Sequence, residues 1–176
     1  MSRVLLASEC LSGKPWCYHG KPETRHRRRI DRIAAELQAD QVARVCPETL
    51  GGLPTPRPAG RRRRGRIWAD GIVGGEDLTP VYERGAERAM ALARKVKPCT
   101  IVLFAKSPSC DPEWGLAGRR LGELGVTVIV LGDLRGRPHL VAAIGRLRYR
   151  HSERRLPLCA CPRSHVLSTC RPDPGR

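Results

Sequence analysis

The sequence predicts an α/β protein, a Rossmann-like three-layer domain with a mostly parallel sheet of about four strands and a small hairpin. Two observations support this prediction. Short apolar runs without polar alternation are typical of parallel strands buried on both faces, and amphipathic segments separate these runs. The predicted strands are residues 3–8 (RVLLAS), 42–45 (VARV), 100–105 (TIVLFA) and 126–131 (VTVIVL).

The segments between the strands have helical spacing. Residues 27–40 place Ile30, Ile33, Ala34 and Leu37 on one face, which predicts a helix that crosses to the second strand. Thr79 followed by Pro80 is typical of a helix start with a hydroxyl cap. Two further helices are predicted, a glycine-broken one over residues 113–124 and one that begins at Pro138 with Leu140, Ile144 and Leu147 on one face.

Two segments between these elements have turn chemistry. Residues 42–58 read VARVCPETLGGLPTPRP, and this density of proline predicts a stiff loop without a helix after the strand. The loop then presents Cys46 and Glu48. Further along, Ile67-Trp68 and Ile72-Val73 are predicted to pair as a hairpin, with Asp70-Gly71 as the turn.

Length and composition favour one domain and a polyanionic partner. The 176 residues suit one domain over residues 1–150, followed by a mobile tail rich in Cys, Arg and Pro over residues 151–176. A net charge of +16 favours nucleic acid or free nucleotides. No apolar run approaches the roughly 20 residues of a membrane span, and the first residues lack a signal-peptide pattern, so we expect a cytoplasmic protein with reduced thiols.

Thiols and polar side chains follow three of the predicted strands. Cys10, Cys46 with Glu48, and Ser107 with Cys110 come just after strand ends, and parallel strands bring such ends to one edge. Three converging thiolates suit zinc or an iron-sulfur cluster, with one metal position left open for substrate or water. The alternative is that these are ordinary buried cysteines, which behave as small apolar side chains.

Four segments resemble the domain-of-unknown-function family that contains thiouracil desulfurase. They are SECLSG at residues 8–13, CPETLGGLPTPRP at 46–58, GAERAMALA at 85–93 and KSPSC at 106–110. Three positions differ from the residues usual in that family, namely Glu9, His19 and Asp111. The resemblance implies a Rossmann-like domain with a 4Fe-4S cluster that three cysteines hold.

By position, the resemblance makes Cys10, Cys46 and Cys110 the cluster ligands, and Glu48 and Ser107 the polar catalytic pair. It implies removal of sulfur from thiolated uracil, as base, nucleoside or nucleotide, without net redox change. The open iron would polarise the thiocarbonyl sulfur while water attacks the ring carbon. Glu48 would orient or deprotonate that water, and Ser107 would relay a proton.

The other cysteines receive separate interpretations. Cys17 could approach the cluster, receive sulfur from it or pack on the loop, and we expect a structural or auxiliary role for it. We expect Cys99, at the far edge of the sheet, to be inert. In the tail, Cys159, Cys161, His165 and Cys170 match a zinc site poorly, and a disordered tail is favoured.

The arginine runs leave two interpretations open. Residues 25–29 and 61–64 either bind a nucleotide phosphate or a tRNA backbone, or form a solvated basic surface. Aromatic side chains are scarce, but Trp16, Tyr18 or Trp114 could stack one base. The principal rival to a desulfurase is therefore a basic RNA-associated protein with a structural zinc or cluster site. A family member that only stores or senses the cluster is a third possibility.

Overall fold

A computed structural model describes residues 2–22, 24–71, 75–131, 139–142 and 148–150. Within these residues, six strands form the main sheet: β1 (Val4–Ser8), β2 (Gln41–Val45), β5 (Thr100–Phe104), β6 (Thr127–Leu131), β7 (His139–Ala142) and β8 (Arg148–Arg150). Their order across the sheet is β2-β1-β5-β6-β7-β8. The first four are parallel to one another, whereas β7 and β8 pair antiparallel at one edge. The predicted α/β class with four parallel strands is confirmed.

The order of the parallel strands determines where a ligand site can lie. Strand β1 pairs with β2 on one side and with β5 on the other, so the chain reverses its direction of travel across the sheet at β1. The loops that leave β1 and β5 therefore diverge, and a crevice opens between them at the carboxyl edge of the sheet. Open α/β sheets bind their ligands at such a switch point.

Helices cover both faces of the sheet and give it three layers. Alternate side chains of β1 point to opposite faces, since Leu5 and Ala7 pack with Ile30 and Ile33 of α1 (Arg27–Glu36), whereas Leu6 belongs to the opposite core. That second core contains small side chains of α3 (Thr79–Val96) and α4 (Leu116–Gly122). The helix spacing predicted around Ile30 and Ile33 is confirmed.

The prediction that the proline-rich stretch contains no helix is wrong. Residues Pro47–Gly51 form a short helix, α2. Pro47 occupies the first helical turn, where its missing N–H has no partner to lose, and the chain leaves the helix at Gly52 with a left-handed φ of 109°. The other prolines come after this end, so they limit the helix to five residues but do not prevent it.

Ile67 and Trp68 lie in a small antiparallel hairpin, but the partner strand that the structure describes precedes them in the chain. Strands β3 (Gly60–Arg63) and β4 (Arg66–Ala69) pair antiparallel, so the arginine run itself is a strand. Arg64 and Gly65 make the turn with φ values of 48° and 80°, the positive pair that a two-residue type I′ turn requires. Residues 72–74, which include the predicted partner strand Ile72-Val73, lie outside the described residues.

Three helix predictions differ from the structure in detail. Helix α3 begins at Thr79, but its hydroxyl accepts the Ile67 N–H over 2.8 Å and does not cap the helix. Helix α4 is shorter than predicted, because Gly115 is its extended N-cap. The helix predicted from Pro138 is wrong over His139–Ala142, where the backbone instead pairs with β6, and residues 143–147 lie outside the described part.

Two predictions on the whole chain have different outcomes. Among the described residues, no helix is long and apolar enough to cross a membrane. The predicted tail, residues 151–176, lies outside the part of the chain that the structure describes, and its cysteines and His165 with it. The division into a domain over residues 1–150 and a tail therefore stays a prediction.

Candidate active site

The three predicted ligand cysteines meet in one cavity. Its volume is about 480 Å³, within the range of roughly 300–1,000 Å³ that is usual for small-molecule sites. Cys10, Cys46 and Cys110 line it, together with Glu48 and Ser107. The cavity lies in the crevice at the carboxyl edge of the sheet, and residues from the loops after β1, β2 and β5 line it. The structure thus brings together all five residues that the sequence suggested.

Cys10 is presented by a tight turn after the central strand. Residues Glu9–Ser12 form one 3₁₀ turn that ends at Gly13, whose φ is 78°. The pKa of the Cys10 thiol lies well above its usual value because of a hydrogen bond with the Cys17 side chain, then burial, then the negative charges of Cys110, Cys17 and Cys46. A negative charge on any of the neighbouring cysteines therefore disfavours the Cys10 thiolate.

Helix α2 holds Cys46 and Glu48 at fixed positions, because α3 supports it closely. A Cβ atom at Gly85 would overlap the carbonyl oxygen of Pro47, so the two helix backbones touch at this point. Arg84 of α3 also donates to the Gly51 carbonyl from Nε over 2.9 Å and from Nη2 over 2.7 Å. These contacts satisfy the end of a helix too short to be stable alone.

Arg57 is the site residue that the sequence analysis missed. Its Nε donates to Glu48 Oε2 over 2.6 Å, and its Nη1 donates to the Pro54 carbonyl over 3.0 Å and to Thr55 Oγ1 over 2.8 Å. Nη2 lies 3.8 Å from Cys46 Sγ. The sequence did contain a signal for this residue, because Arg57 is the single arginine in the proline-rich loop that follows Glu48.

Opposite charges allow the Arg57 and Glu48 side chains to lie together in the protein interior. The Arg57 and Glu48 side chains are only 3% and 12% exposed. Burial alone would lower the pKa of Arg57, but the Glu48 charge and hydrogen bond raise it above its usual value. The guanidinium therefore stays charged, and it places a positive group between the carboxylate and the Cys46 sulfur.

A second constrained loop presents Cys110. Ser107 Oγ accepts the N–H groups of Ser109, over 3.2 Å, and of Cys110, over 3.1 Å. Asp111 accepts the Lys106 N–H at Oδ2 over 2.8 Å and the Glu113 N–H at Oδ1 over 2.9 Å. Asp111 thus bonds to the backbone on both sides of the loop and is 8% exposed.

The environment of Cys110 disfavours a bare thiolate. Burial raises the pKa of its thiol to about 12, the charge of Cys46 adds to the rise, and hydrogen bonds from the Ser8 and Ser107 side chains oppose it. Two hydroxyl groups are therefore in place to stabilise charge on this sulfur. A bound cation would remove the remaining electrostatic cost.

The chemistry of the three thiols is compatible with an iron-sulfur cluster. Within the ranges that the structure describes, no group of three His, Cys, Asp or Glu side chains is arranged to hold one metal ion. A cluster has a different requirement, because each cysteine binds a separate iron and the thiols need only surround a common volume. Cys10, Cys46 and Cys110 are free thiols around one cavity, so their chemistry fits the cluster that the resemblance implies.

The remaining predicted residues are distributed as follows. Cys17 lines the cavity and its sulfur lies 4.0 Å from the Cys10 carbonyl oxygen, whereas Cys99 is buried at the opposite edge beside Val4. Trp16 and Tyr18 line the cavity and are 39% and 48% exposed. Trp114 does not line it; its carbonyl oxygen accepts a hydrogen bond from Arg62.

The fold and site define an α/β protein with a thiol-lined, anion-stabilising cavity at the switch point of its sheet. The model of the 2-thiouracil desulfurase family matches residues 5–120, and the chain belongs to this family. The uncharacterized protein YbbK of Bacillus subtilis (strain 168) is 29% identical over 141 residues, which cover 73% of this chain and 89% of YbbK.

A solved structure supports the same assignment. The 4Fe-4S-dependent thiouracil desulfidase TudS (DUF523Vcz) is similar to this chain with a TM-score of 0.61 and 27% sequence identity. The similarity covers 76% of this chain and 91% of TudS. The suspected family is therefore confirmed, and the family supports an enzymatic function for the chain.

Proposed function

We propose that the protein is a 4Fe-4S-dependent, non-redox desulfurase that removes sulfur as sulfide from thiolated uracil, present as base, nucleoside or nucleotide. The observation that supports this most is the convergence of three free thiols, Glu48 and Ser107 on one cavity in a member of this family. The reaction exchanges a C=S bond for a C=O bond with water as the co-reactant and H₂S as the product. We place this chemistry in the cytoplasm, where thiols stay reduced.

Cys10, Cys46 and Cys110 would hold the cluster. When bound, the cluster supplies an iron without a cysteine ligand, which acts as a Lewis acid toward the thiocarbonyl sulfur. The protein contributes groups that stabilise negative charge on the cysteine sulfurs. Arg57 lies next to the Cys46 sulfur, and the hydroxyls of Ser8 and Ser107 bond to the sulfur of Cys110.

Glu48 would act on the water. Arg57 binds its Oε2 and thereby fixes the orientation of the carboxylate, so we assign the other oxygen, Oε1, to the attacking water. This oxygen accepts a proton as the water oxygen bonds to the ring carbon. Because the Glu48 and Arg57 side chains are almost fully buried, contact with bulk solvent does not disturb the orientation of the carboxylate.

Ser107 would act on the sulfur side of the reaction. Its oxygen accepts two backbone N–H groups, so the hydroxyl acts as a donor, and during the reaction it would turn from the Cys110 sulfur to the departing sulfur. A donor beside Cys110 is suited to the negative charge that develops on the departing sulfur. This role is a hydrogen bond to sulfur and does not require Ser107 to lose its proton.

The substrate ring would enter past the two exposed aromatic side chains. Trp16 and Tyr18 line the mouth of the cavity, and both present flat surfaces on which a pyrimidine can stack. The backbone N–H of Arg57 donates to the Tyr18 carbonyl over 2.8 Å, so this aromatic loop is attached to the loop that positions Glu48.

The direct test is anaerobic reconstitution with iron and sulfide, followed by the visible spectrum and an assay for sulfide release from 4-thiouracil and 4-thiouridine monophosphate. We expect a broad absorption band and sulfide release in the wild type, and loss of both in Cys110→Ala. Cys99→Ala is the matched control, because that buried thiol lies at the other edge of the sheet. Purified protein that holds zinc and no iron would instead support the RNA-associated alternative.

A further inference from the structure

The hairpin β3–β4 places three arginines and a tryptophan on one exposed face. In its register Arg61 lies opposite Trp68, and Arg63 lies opposite Arg66, so these four side chains share one side of the ribbon. The opposite side is occupied differently, since Ile67 is buried and Arg62 reaches the Trp114 carbonyl. On the first face the three arginines are exposed and Trp68 is half-buried, so these side chains are accessible to a partner.

This face borders a second cavity that adjoins the first. The second cavity has a volume of about 390 Å³ and is lined by Arg61, Arg63, Trp68 and Asp70, among others. Arg61 and Asp70 also line the thiol-containing cavity. A ligand that fills the candidate active site can therefore extend along the hairpin without leaving the protein surface.

Carboxylates pair with two of the three arginines on this face. Asp70 binds Arg61 Nε over 2.7 Å, and Asp77 binds Arg66, whereas Glu76 and Glu83 are further carboxylates nearby. Arg61 is 62% exposed, and exposed ion pairs of this kind contribute little and exchange partners readily. The strand therefore offers guanidinium groups to an anion, and Arg63 sits two residues beyond Arg61 on the same face.

The chemistry of this face matches a nucleotide. A guanidinium group can donate two parallel hydrogen bonds to one phosphate, and an indole ring can stack on any nucleic-acid base. The Arg66 guanidinium carbon lies 6.0 Å from the centre of the Trp68 ring, so this arginine makes a cation–π contact with one face of the ring. The net charge of +16 adds a long-range attraction for a polyanion.

We propose that this groove binds the nucleotide joined by a phosphodiester to the thiolated one, so that the enzyme accepts thiolated pyrimidines within short single-stranded RNA. The inference rests on the proposed function, because it identifies what the ring in the first cavity is attached to. Arg61 and Arg63 would contact the phosphates, and Trp68 would stack the neighbouring base.

The groove is tested with an unmodified, fluorescently labelled hexauridylate bound to the reconstituted protein, measured by anisotropy over a salt series. Each phosphate contact contributes about 0.7 to the slope of log affinity against log salt for single strands. Arg61→Ser with Arg63→Ser should therefore lower the slope by about 1.4. The control, Arg94→Ser with Lys95→Ser, removes equal charge from the exposed last turn of α3 and should leave the slope near that of the wild type.

Trp68→Leu separates stacking from charge. It should weaken hexauridylate binding by about five- to 150-fold, the effect of one stacked base, with an unchanged salt slope. Absence of saturable binding in the wild type, or equal slopes in the wild type and the Arg61/Arg63 variant, would overturn the proposal. Sulfide release from free 4-thiouracil is measured in parallel, so failure of the proposed function is distinguished from failure of the groove.

Discussion

Arg57 donates from Nε to Glu48 Oε2 over 2.6 Å, in a pair whose side chains are almost completely buried. The two residues come from different pieces of structure, a five-residue helix and the proline-rich loop after it. Their contact closes this loop against the helix and orients the carboxylate toward the cavity. The same guanidinium touches the carbonyl of Pro54 and the hydroxyl of Thr55, so it holds the loop as well as the carboxylate.

Arg57→Ala should therefore destabilise the protein strongly. Removing one partner leaves the Glu48 charge buried without compensation, which lowers the free energy of unfolding by about 3–5 kcal/mol. Denaturant unfolding of the reconstituted protein measures this. Arg61→Ala, which breaks the exposed pair with Asp70, is the control and should change the free energy by less than about 0.5 kcal/mol. Equal effects of the two variants would contradict the buried-pair interpretation.

Glu48→Gln should separate catalysis from cluster binding. The amide keeps the size of the side chain but does not accept a proton from water, so sulfide release should fall by about 10²- to 10⁴-fold while the visible spectrum is retained. Glu87→Gln, on the exposed face of α3, is the control and should retain activity. Full turnover in the Glu48 variant would show that another group activates the water.

Ser107→Ala should weaken retention of the cluster. The substitution removes the acceptor for the N–H groups of Ser109 and Cys110 and the hydroxyl beside the Cys110 sulfur. A loss of about 1 kcal/mol corresponds to roughly fivefold faster decay of the visible band in the presence of a chelator. Ser107→Thr keeps the hydroxyl and should restore slow decay. If Ser107→Ala decays as slowly as the wild type, the serine does not support the ligand loop.

Gly85→Ala tests the packing of α2 on α3. A Cβ atom at Gly85 overlaps the Pro47 carbonyl, so the helices must separate, at a cost of about 1–3 kcal/mol in the free energy of unfolding. Gly122→Ala is the matched control in α4, because a Cβ atom there has no neighbour within 4 Å. Thermal unfolding of both variants provides the comparison, and an unchanged melting temperature for Gly85→Ala would contradict the close contact.

The gathering of the site could be predicted from the sequence because it follows from topology alone. Cys10, Cys46 and Cys110 each follow a parallel strand, and parallel strands end at one edge. Neither the apolar runs nor this rule depends on side-chain detail. The family segments then indicated which chemistry the three thiols serve, and the family match confirmed that resemblance.

The errors came from features that tertiary contacts decide. The sequence analysis did not identify the turn at Arg64-Gly65, and it did not identify residues 60–63 as a strand, whose Arg62 lies opposite the buried Ile67. Helix α2 is stable only because α3 caps it, and no local pattern shows this. Arg57 was missed because its reach to Glu48 depends on how the loop folds back.

The central claim is a hydrolytic exchange of sulfur for oxygen without electron transfer. The most direct measurement follows the reconstituted wild type with 4-thiouracil in oxygen-18-labelled water, without any added reductant or oxidant. The account predicts that each sulfide released is matched by one uracil that contains the heavy oxygen. Sulfide release that requires an electron donor, or uracil without the label, would contradict it.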